Sequence, residues 1–398
     1  MCSVVKPDTP MRRPRHLLLY EPRTEGHHLG WLRFLTEDLL SADCQLSLAV
    51  DLRAQARAKL EDHLSDLWHA VKVHSAYDSQ GRRHEGGKAR SIAFCLRQSG
   101  AEQVFLAAFD EIASSCWRRA FFGLGPPGEL RGHMGGIYHR PRLFIAPWWS
   151  PNGMLKRAGF SRLLKNGWLA QLLFVDEFLT CELQAKYPGA PLHFLPDPCP
   201  KGYDLASADA RRQLGVPPDN RVFLFYGTGS RRKGLHLAVA AMLGLPAEHT
   251  SFLLCAGQQN PEGNTARRLG QLVEQRRALL INRYVSVAEE KLCFAASDAV
   301  LLPYLDHFGA SGVLSRAMAA GKMVIVSDEQ LLGRLTRERG LGLLFPSADA
   351  AALREQIRSA AVMNSEQAAT WQAAARRYAE HYSREAFRAT LLASLGLA

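Results

Sequence analysis

The sequence predicts an α/β protein of two doubly wound, Rossmann-like domains facing each other across a central cleft. Three observations carry this. Short runs rich in β-formers alternate with helical-period segments along all 398 residues. The runs are nearly continuous in apolar residues, as strands covered on both faces of a parallel sheet must be. The alternation also restarts after a proline cluster halfway along, and a chain of this length suits two cores of about 150–200 residues better than one.

In the first half the expected strands are His16–Tyr20, Gln45–Val50, Gln103–Phe109, Arg142–Ala146, Gln171–Val175 and Pro191–Leu195. In the second they are Arg221–Tyr226, Ser251–Cys255, Ile281–Val285, Asp298–Pro303, Lys322–Val326 and Gly342–Phe345. Helices are expected at Leu29–Ser41, Gly234–Leu243, Glu262–Arg277, Glu289–Ala296 and Ser311–Ala320, with a long helical region over Ser365–Leu395. Gly123 to Gly136 reads as a glycine-rich loop. Pro196, Pro198 and Pro200 can continue neither a helix nor a central strand. They set a boundary between residues 1–198 and 199–377, with residues 378–398 as a closing helix that returns to the first domain.

Composition narrows the class. Hydrophobic residues make up 47% and charged residues 22%, which suits a globular protein. No uncharged apolar run reaches the roughly 18 residues of a membrane span, and no apolar signal segment follows the basic N-terminus. The expectation is a cytoplasmic protein. Leu155–Leu173 mixes basic and apolar residues and is open to peripheral membrane contact, although a helix packed on the sheet has the same pattern. The eight cysteines are scattered with no C-x-x-C pair, so buried, reduced side chains are expected rather than a metal site. The net charge of +11 favours phosphate-bearing ligands or an anionic surface. It divides almost evenly between the halves (25 − 20 = +5 and 24 − 18 = +6), and no nucleic-acid-binding signature accompanies it.

Two segments carry chemistry. In Phe223-Leu-Phe-Tyr-Gly-Thr-Gly-Ser-Arg-Arg-Lys-Gly234 an apolar strand exits into a loop holding Gly227 and Gly229. Arg231, Arg232 and Lys233 then lead into a helix. Glycines let backbone N–H groups approach an anion, a helix N-terminus favours it, and two or three cations would neutralise a diphosphate. In the second segment, strand Asp298–Pro303 exits through Asp306 and His307, and Gly309-Ala310-Ser311-Gly312 opens a helix of small residues. Ligands of open α/β sheets bind at such carboxyl ends. Taken singly, each segment is also compatible with a solvated basic loop or a tight glycine turn.

Their order, continued by Cys255-Ala-Gly257 and by Ala317-Met-Ala-Ala-Gly-Lys322 before strand Met323–Val326, resembles the C-terminal domain of GT-B glycosyltransferases of the family-4 type, the glycosyl transferases group 1. The likeness covers about residues 221–346. It implies a retaining, metal-independent transfer of a sugar from a nucleoside-diphosphate sugar, which acts as co-substrate with no resident cofactor. The acceptor would be a glycan, a lipid-linked molecule or a small molecule. It also implies that Lys233, with Arg231 or Arg232, binds the donor diphosphate. Gly227, His307 and the backbone at Gly309, Ser311, Gly312 and Val313 would contact the donor as well. Of the family's two glutamates spaced eight apart, Asp306 stands near the first and Arg316 occupies the second. A guanidinium cannot accept hydrogen bonds from ribose hydroxyls, so ribose recognition differs, the donor differs, or activity is lost. The last case leaves a degenerate protein that binds a phosphorylated ligand or a partner.

In the first half, Tyr20-Glu-Pro-Arg-Thr-Glu-Gly-His-His-Leu-Gly30 resembles the family's glycine-rich first loop, with Gly26 and His27 as contacts. Two adjacent histidines suit a general base or a phosphate partner, and equally a solvated loop. The family's separate catalytic histidine, after a middle strand, has no clear counterpart, and Asp110 is the nearest candidate by position. His133 and His139 flank Gly135-Gly136 and are open to lining the cleft, although an ordinary surface loop is the commoner setting. Trp148-Trp149 suit stacking on a sugar, with packing as the default, and Asp176 reads as a helix cap.

Overall fold

The computed structural model describes residues 15–25, 28–42, 44–144, 149–259 and 263–398. The chain divides into two compact units, Met1–Pro196 with Phe387–Ala398, and Asp197–Ala386.

The first unit holds a parallel sheet of seven strands: β1 (His16–Glu21), β2 (Gln45–Val50), β3 (Lys72–Ser75), β4 (Gln103–Leu106), β5 (Met134–Tyr138), β6 (Leu169–Phe174) and β7 (Leu192–Phe194). Their spatial order is β3-β2-β1-β4-β5-β6-β7. β1 pairs with β4 through Leu17 opposite Gln103. Leu17, Leu18 and Leu19 are fully buried, each stabilising the sheet by about 1.5–3 kcal/mol. The closing helix Arg384–Ser394 brings Phe387 against Trp31 and Phe34 of helix His28–Leu40, with ring centroids 5.5 and 6.4 Å away.

The second unit holds six parallel strands: β8 (Arg221–Tyr226), β9 (Ser251–Ala256), β10 (Ala278–Ile281), β11 (Ala299–Leu302), β12 (Met323–Ser327) and β13 (Gly342–Phe345), in the order β10-β9-β8-β11-β12-β13. Phe223 and Phe225 of β8 are buried in its core. In each sheet the strand order reverses once, between β1 and β4 and between β8 and β11. Loops leaving two such strands diverge to opposite sides, opening a crevice at their carboxyl ends.

Three expectations shift. Residues 142–144 form a turn rather than a strand, and residues 145 and 146 lie outside the described residues. The missing strand is β5, which begins within the segment read as a loop and runs two residues past it. Its glycines are there because there is no room for a side chain. A Cβ on Gly135 would stand 2.6 Å from the Gln171 side chain, and one on Gly136 2.6 Å from the Leu106 carbonyl. The strand expected at Ile281–Val285 is β10, which ends at Ile281, where Asn282 turns its side-chain oxygen to the Gln259 N–H (2.7 Å). Short, polar-led Lys72–Ser75 carried no apolar signal, yet it forms edge strand β3.

The Leu155–Leu173 stretch divides into helix Pro151–Lys165 and the buried strand β6. No helix among the described residues is long and apolar enough to cross a membrane. Six cysteines are buried free thiols, whereas Cys181 is disulfide-bonded. Asp176 caps helix Glu177–Lys186, accepting from the Leu179 N–H.

Candidate active site

The two loops that carried the chemistry in the sequence leave β8 and β11, the pair at which the second sheet reverses. They are locked together. Gly234 sits at φ +76°, and a Cβ there would stand 1.8 Å from the Pro303 carbonyl, so only glycine permits this approach. Next to it the Leu305 N–H donates to the Arg232 carbonyl (2.8 Å). Lys233 Nζ donates to the Tyr304 hydroxyl (2.8 Å) and lies 4.1 Å from the centre of that ring. Such an ammonium is held in place by aromatic and hydroxyl contacts while its charge stays uncompensated.

The glycine loop is pinned from the other side by Gln259, whose Nε2 donates to the Gly227 carbonyl (2.6 Å), while the Gly229 N–H donates to the Gln258 carbonyl (3.0 Å). Ser230 caps the short turn Arg231–Lys233. Of the two arginines left open by the sequence, Arg232 is committed. Its guanidinium reaches His307 Nδ1 (2.9 Å), whose Nε2 faces the Ala310 carbonyl (3.2 Å). A guanidinium only donates and a carbonyl only accepts, so both contacts are met together when the His307 ring carries a proton on Nε2 and none on Nδ1. Arg231 is exposed.

On the β11 side, Gly309 has φ +97° and Ser311 caps helix Gly312–Ala319 through the Leu314 N–H. The N–H groups of Gly312 and Val313 in its first turn have no side-chain cap. They supply the anion-facing end of a helix. Asp306 is exposed at φ +48°, and its N–H is held by Glu329 after β12 (3.3 Å). Glu329 therefore brings a second carboxylate to this loop, one that the sequence did not single out.

Arg316 points elsewhere. Its Nε lies 2.9 Å from Glu290 Oε2, and it donates through NH1 to the Gly312 carbonyl (2.8 Å). Burial works against its charge, but Glu290 more than offsets this and raises its pKa. Glu290 also accepts from the Tyr203 and Tyr226 hydroxyls. Beside them Asp197, hydrogen-bonded by Ser315 (3.4 Å), is pushed up to about 6 by burial, with Arg316 opposing. Arg316 is thus an internally neutralised strut at the position where the resemblance expects a glutamate.

In the first unit, Gly26 and His27 lie outside the described residues. Their neighbour His28 faces Glu21 at the end of β1 (3.0 Å). Burial pushes the Glu21 pKa up, but hydrogen bonds and charge from His28 and Arg23 hold it below its ordinary value. Asp110, after β4, accepts the His139 and Arg140 backbone N–H groups, both at 2.9 Å. Its carboxylate therefore holds the loop that follows β5. That loop carries His139, for which the sequence left a surface loop and the cleft both open, and which is half-buried. The ring's Nε2 meets the Ala107 carbonyl (2.8 Å) and its face meets Trp31 edge-on (centroids 4.7 Å). Burial lowers its pKa against the raising effects of Asp110, the Ala107 carbonyl and Glu21. His139 directly follows β5, a middle strand of this sheet. The available signal was the apolar pair Ile137-Tyr138, masked by two glycines.

Comparison with known proteins bears on the family likeness and on the fold. Residues 207–378 match the model of the family described as glycosyl transferases group 1. The phosphatidyl-myo-inositol mannosyltransferase of Mycolicibacterium smegmatis is 31% identical over 153 residues, 38% of this chain and 39% of that one. The D-inositol 3-phosphate glycosyltransferase of Corynebacterium jeikeium is 30% identical over 157 residues, 37% and 36% of the two chains. The chain thus spans under two fifths of the length of these curated relatives. Similar structures include a glycosyltransferase from Rickettsia africae (TM-score 0.65, 14% identity, 95% and 96% coverage). Another is Anabaena Alr3699/HepE in complex with UDP and glucose (TM-score 0.65, 15% identity, 96% and 100% coverage). These identities speak to the fold. Residues 207–378 are thus similar to the glycosyl transferases group 1, and the chain has the α/β fold seen in GT-B glycosyltransferase structures.

Proposed function

We propose that the protein is a glycosyltransferase that takes its sugar from a nucleoside-diphosphate sugar, with retention at the anomeric carbon and without a metal. The observation that carries this is the junction at the β8–β11 reversal. There Lys233, Arg231 and the first-turn N–H groups of helix Gly312–Ala319 come from two loops fastened to each other. The chemical demand of such a transfer is stabilising the departing diphosphate. Fixed cations and amide dipoles meet it without reorganising at the moment of reaction. The UDP and glucose complex of Anabaena Alr3699/HepE supports a sugar nucleotide as the ligand class. The absence of an Asp-x-Asp sequence at any strand end supports chemistry without a metal.

Asp306 and Glu329 are the carboxylates proposed to face the donor sugar. His139 is proposed to contact substrate as a neutral imidazole, and Asp110 to position it. Location in the cytoplasm, with or without contact to a membrane surface, is part of the same proposal.

A second reading is favoured by one observation. Arg316 replaces a carboxylate and is spent on Glu290, which suits a protein that binds a phosphorylated ligand without turning it over. Calorimetric titration with UDP, GDP and ADP and their sugars tests both. Lys233→Ala is expected to weaken binding by about tenfold or more, the loss of a charge-assisted contact. Wild-type protein with no affinity for any of these ligands would refute the donor assignment. Binding with neither transfer nor donor hydrolysis would select the second reading.

A further inference from the structure

The first unit contains a cavity of about 1,100 Å³ that the donor site does not use. Pockets for small ligands run about 300–1,000 Å³, so it is large enough for a complete substrate. Its walls are the start of helix Lys88–Ser99, one face of helix Asp110–Phe121 and the Pro126-Pro127 loop.

The charges on these walls are not balanced. Six cations line the cavity against four carboxylates, and every carboxylate is already engaged. Glu85 and Glu129 both pair with Arg97. Glu111 is held between Arg23 (3.1 Å) and Arg83 (2.8 Å), and Asp110 is occupied by the two backbone N–H groups described above. The other four cations have no carboxylate partner among the described residues. Lys88 donates to the Glu111 carbonyl (3.1 Å) and Arg119 to the Gly125 carbonyl (2.7 Å), contacts that leave the charge uncompensated. Arg90 and Arg118 are exposed and form no ion pair among the described residues.

The first turn of helix Lys88–Ser99 adds to this field. Its cap is Gly87, which offers no side-chain acceptor, and the space that a Cβ on Gly86 or Gly87 would fill is open. A cavity with surplus guanidinium charge, spent carboxylates and a bare helix start attracts an oxyanion. Asp110 connects it to the proposed reaction, because its carboxylate lines the cavity while holding the His139 loop.

We infer that this cavity binds a phosphate-bearing ligand. Resting on the transferase reading, that ligand is the acceptor, so that the protein glycosylates an anionic molecule carrying a phosphomonoester or phosphodiester group. The phosphate belongs either to a soluble metabolite or to a lipid headgroup.

Full-length wild type, Arg90→Ala/Arg118→Ala and Lys233→Ala are titrated with glycerol 1-phosphate. Each is also floated with phosphatidylglycerol or phosphatidylcholine vesicles. Saturable, salt-sensitive binding that falls about tenfold or more in the double variant and persists in Lys233→Ala supports the inference. Binding of the free phosphate identifies a soluble acceptor. Binding of phosphatidylglycerol vesicles alone identifies a lipid headgroup. Equal binding by wild type and the double variant, or no binding to either probe, overturns it. UDP affinity measured on the same samples reports on the donor reading separately, since the double variant is expected to keep it and Lys233→Ala to lose it.

Discussion

Replacing Gly234 by alanine tests the junction on which the donor site depends. The new Cβ would stand 1.8 Å from the Pro303 carbonyl oxygen, whereas carbon and oxygen approach no closer than about 3.3 Å in ordinary contacts. The two loops must therefore separate by more than an ångström. Such a movement breaks the Leu305 N–H bond to the Arg232 carbonyl, a loss of about 0.5–1.5 kcal/mol. Holding alanine at φ +76° adds about 1–2 kcal/mol. Together these give a destabilisation of about 1.5–3.5 kcal/mol for the second unit, read as a shift in its urea midpoint. Nucleoside-diphosphate affinity should fall by about tenfold or more, because Lys233 leaves its place over Tyr304. Gly227→Ala is the control. Its backbone is also left-handed, at φ +99°, but no atom lies within 4 Å of the added Cβ, so only the strain of about 1–2 kcal/mol applies. If Gly234→Ala costs no more than Gly227→Ala and leaves UDP binding intact, the account of the junction is wrong.

Three further outcomes follow from the same geometry. Asp197→Asn should stabilise the second unit at pH 7. The shift from 3.8 to about 6, at about 1.4 kcal/mol per unit, sets an upper limit of about 3 kcal/mol. A raised carboxylate favours folding below its folded value and loses that contribution as pH rises through about 6, so the gap between variant and wild type should narrow from pH 7 to pH 5 in paired urea melts. The first unit should respond in the opposite sense. His139, like His16, His74 and His193, is lowered from 6.5 by burial. The unfolded chain then binds more protons below pH 6.5, and stability present above that value is lost on acidification; a His139→Gln variant should show a shallower loss. Asp110→Asn, which keeps the side chain's shape but not its charge, should lower turnover through the His139 loop while UDP affinity, read by calorimetry, stays within about twofold.

Much of the fold was legible because its signals are local. Buried parallel strands are apolar along their whole length, and eleven of the thirteen strands were marked by such runs, ten at their true place and one displaced by three residues at β10. The two that escaped had no such signal. β3 is a short edge strand with a polar composition, and β5 is interrupted by glycines that its neighbours require. Lys233 and the Gly309–Gly312 turn could be picked out from sequence because each sits in a short glycine-rich segment directly after a strand. His139 could not, since its place depends on recognising β5 and on Asp110, twenty-nine residues earlier.

The α/β class is written in the period of the apolar runs, and the two glycine-and-cation loops in residue spacing along the chain. Which charges remain available to a ligand is settled by the folded chain. Charge neutralisation is a long-range property: Arg316 stands in the sequence as a lone cation in place of an expected carboxylate, and only the fold brings Glu290, twenty-six residues away, against it. Lys88, Arg90 and Arg118 look like ordinary surface charge until the carboxylates around them prove to be already engaged.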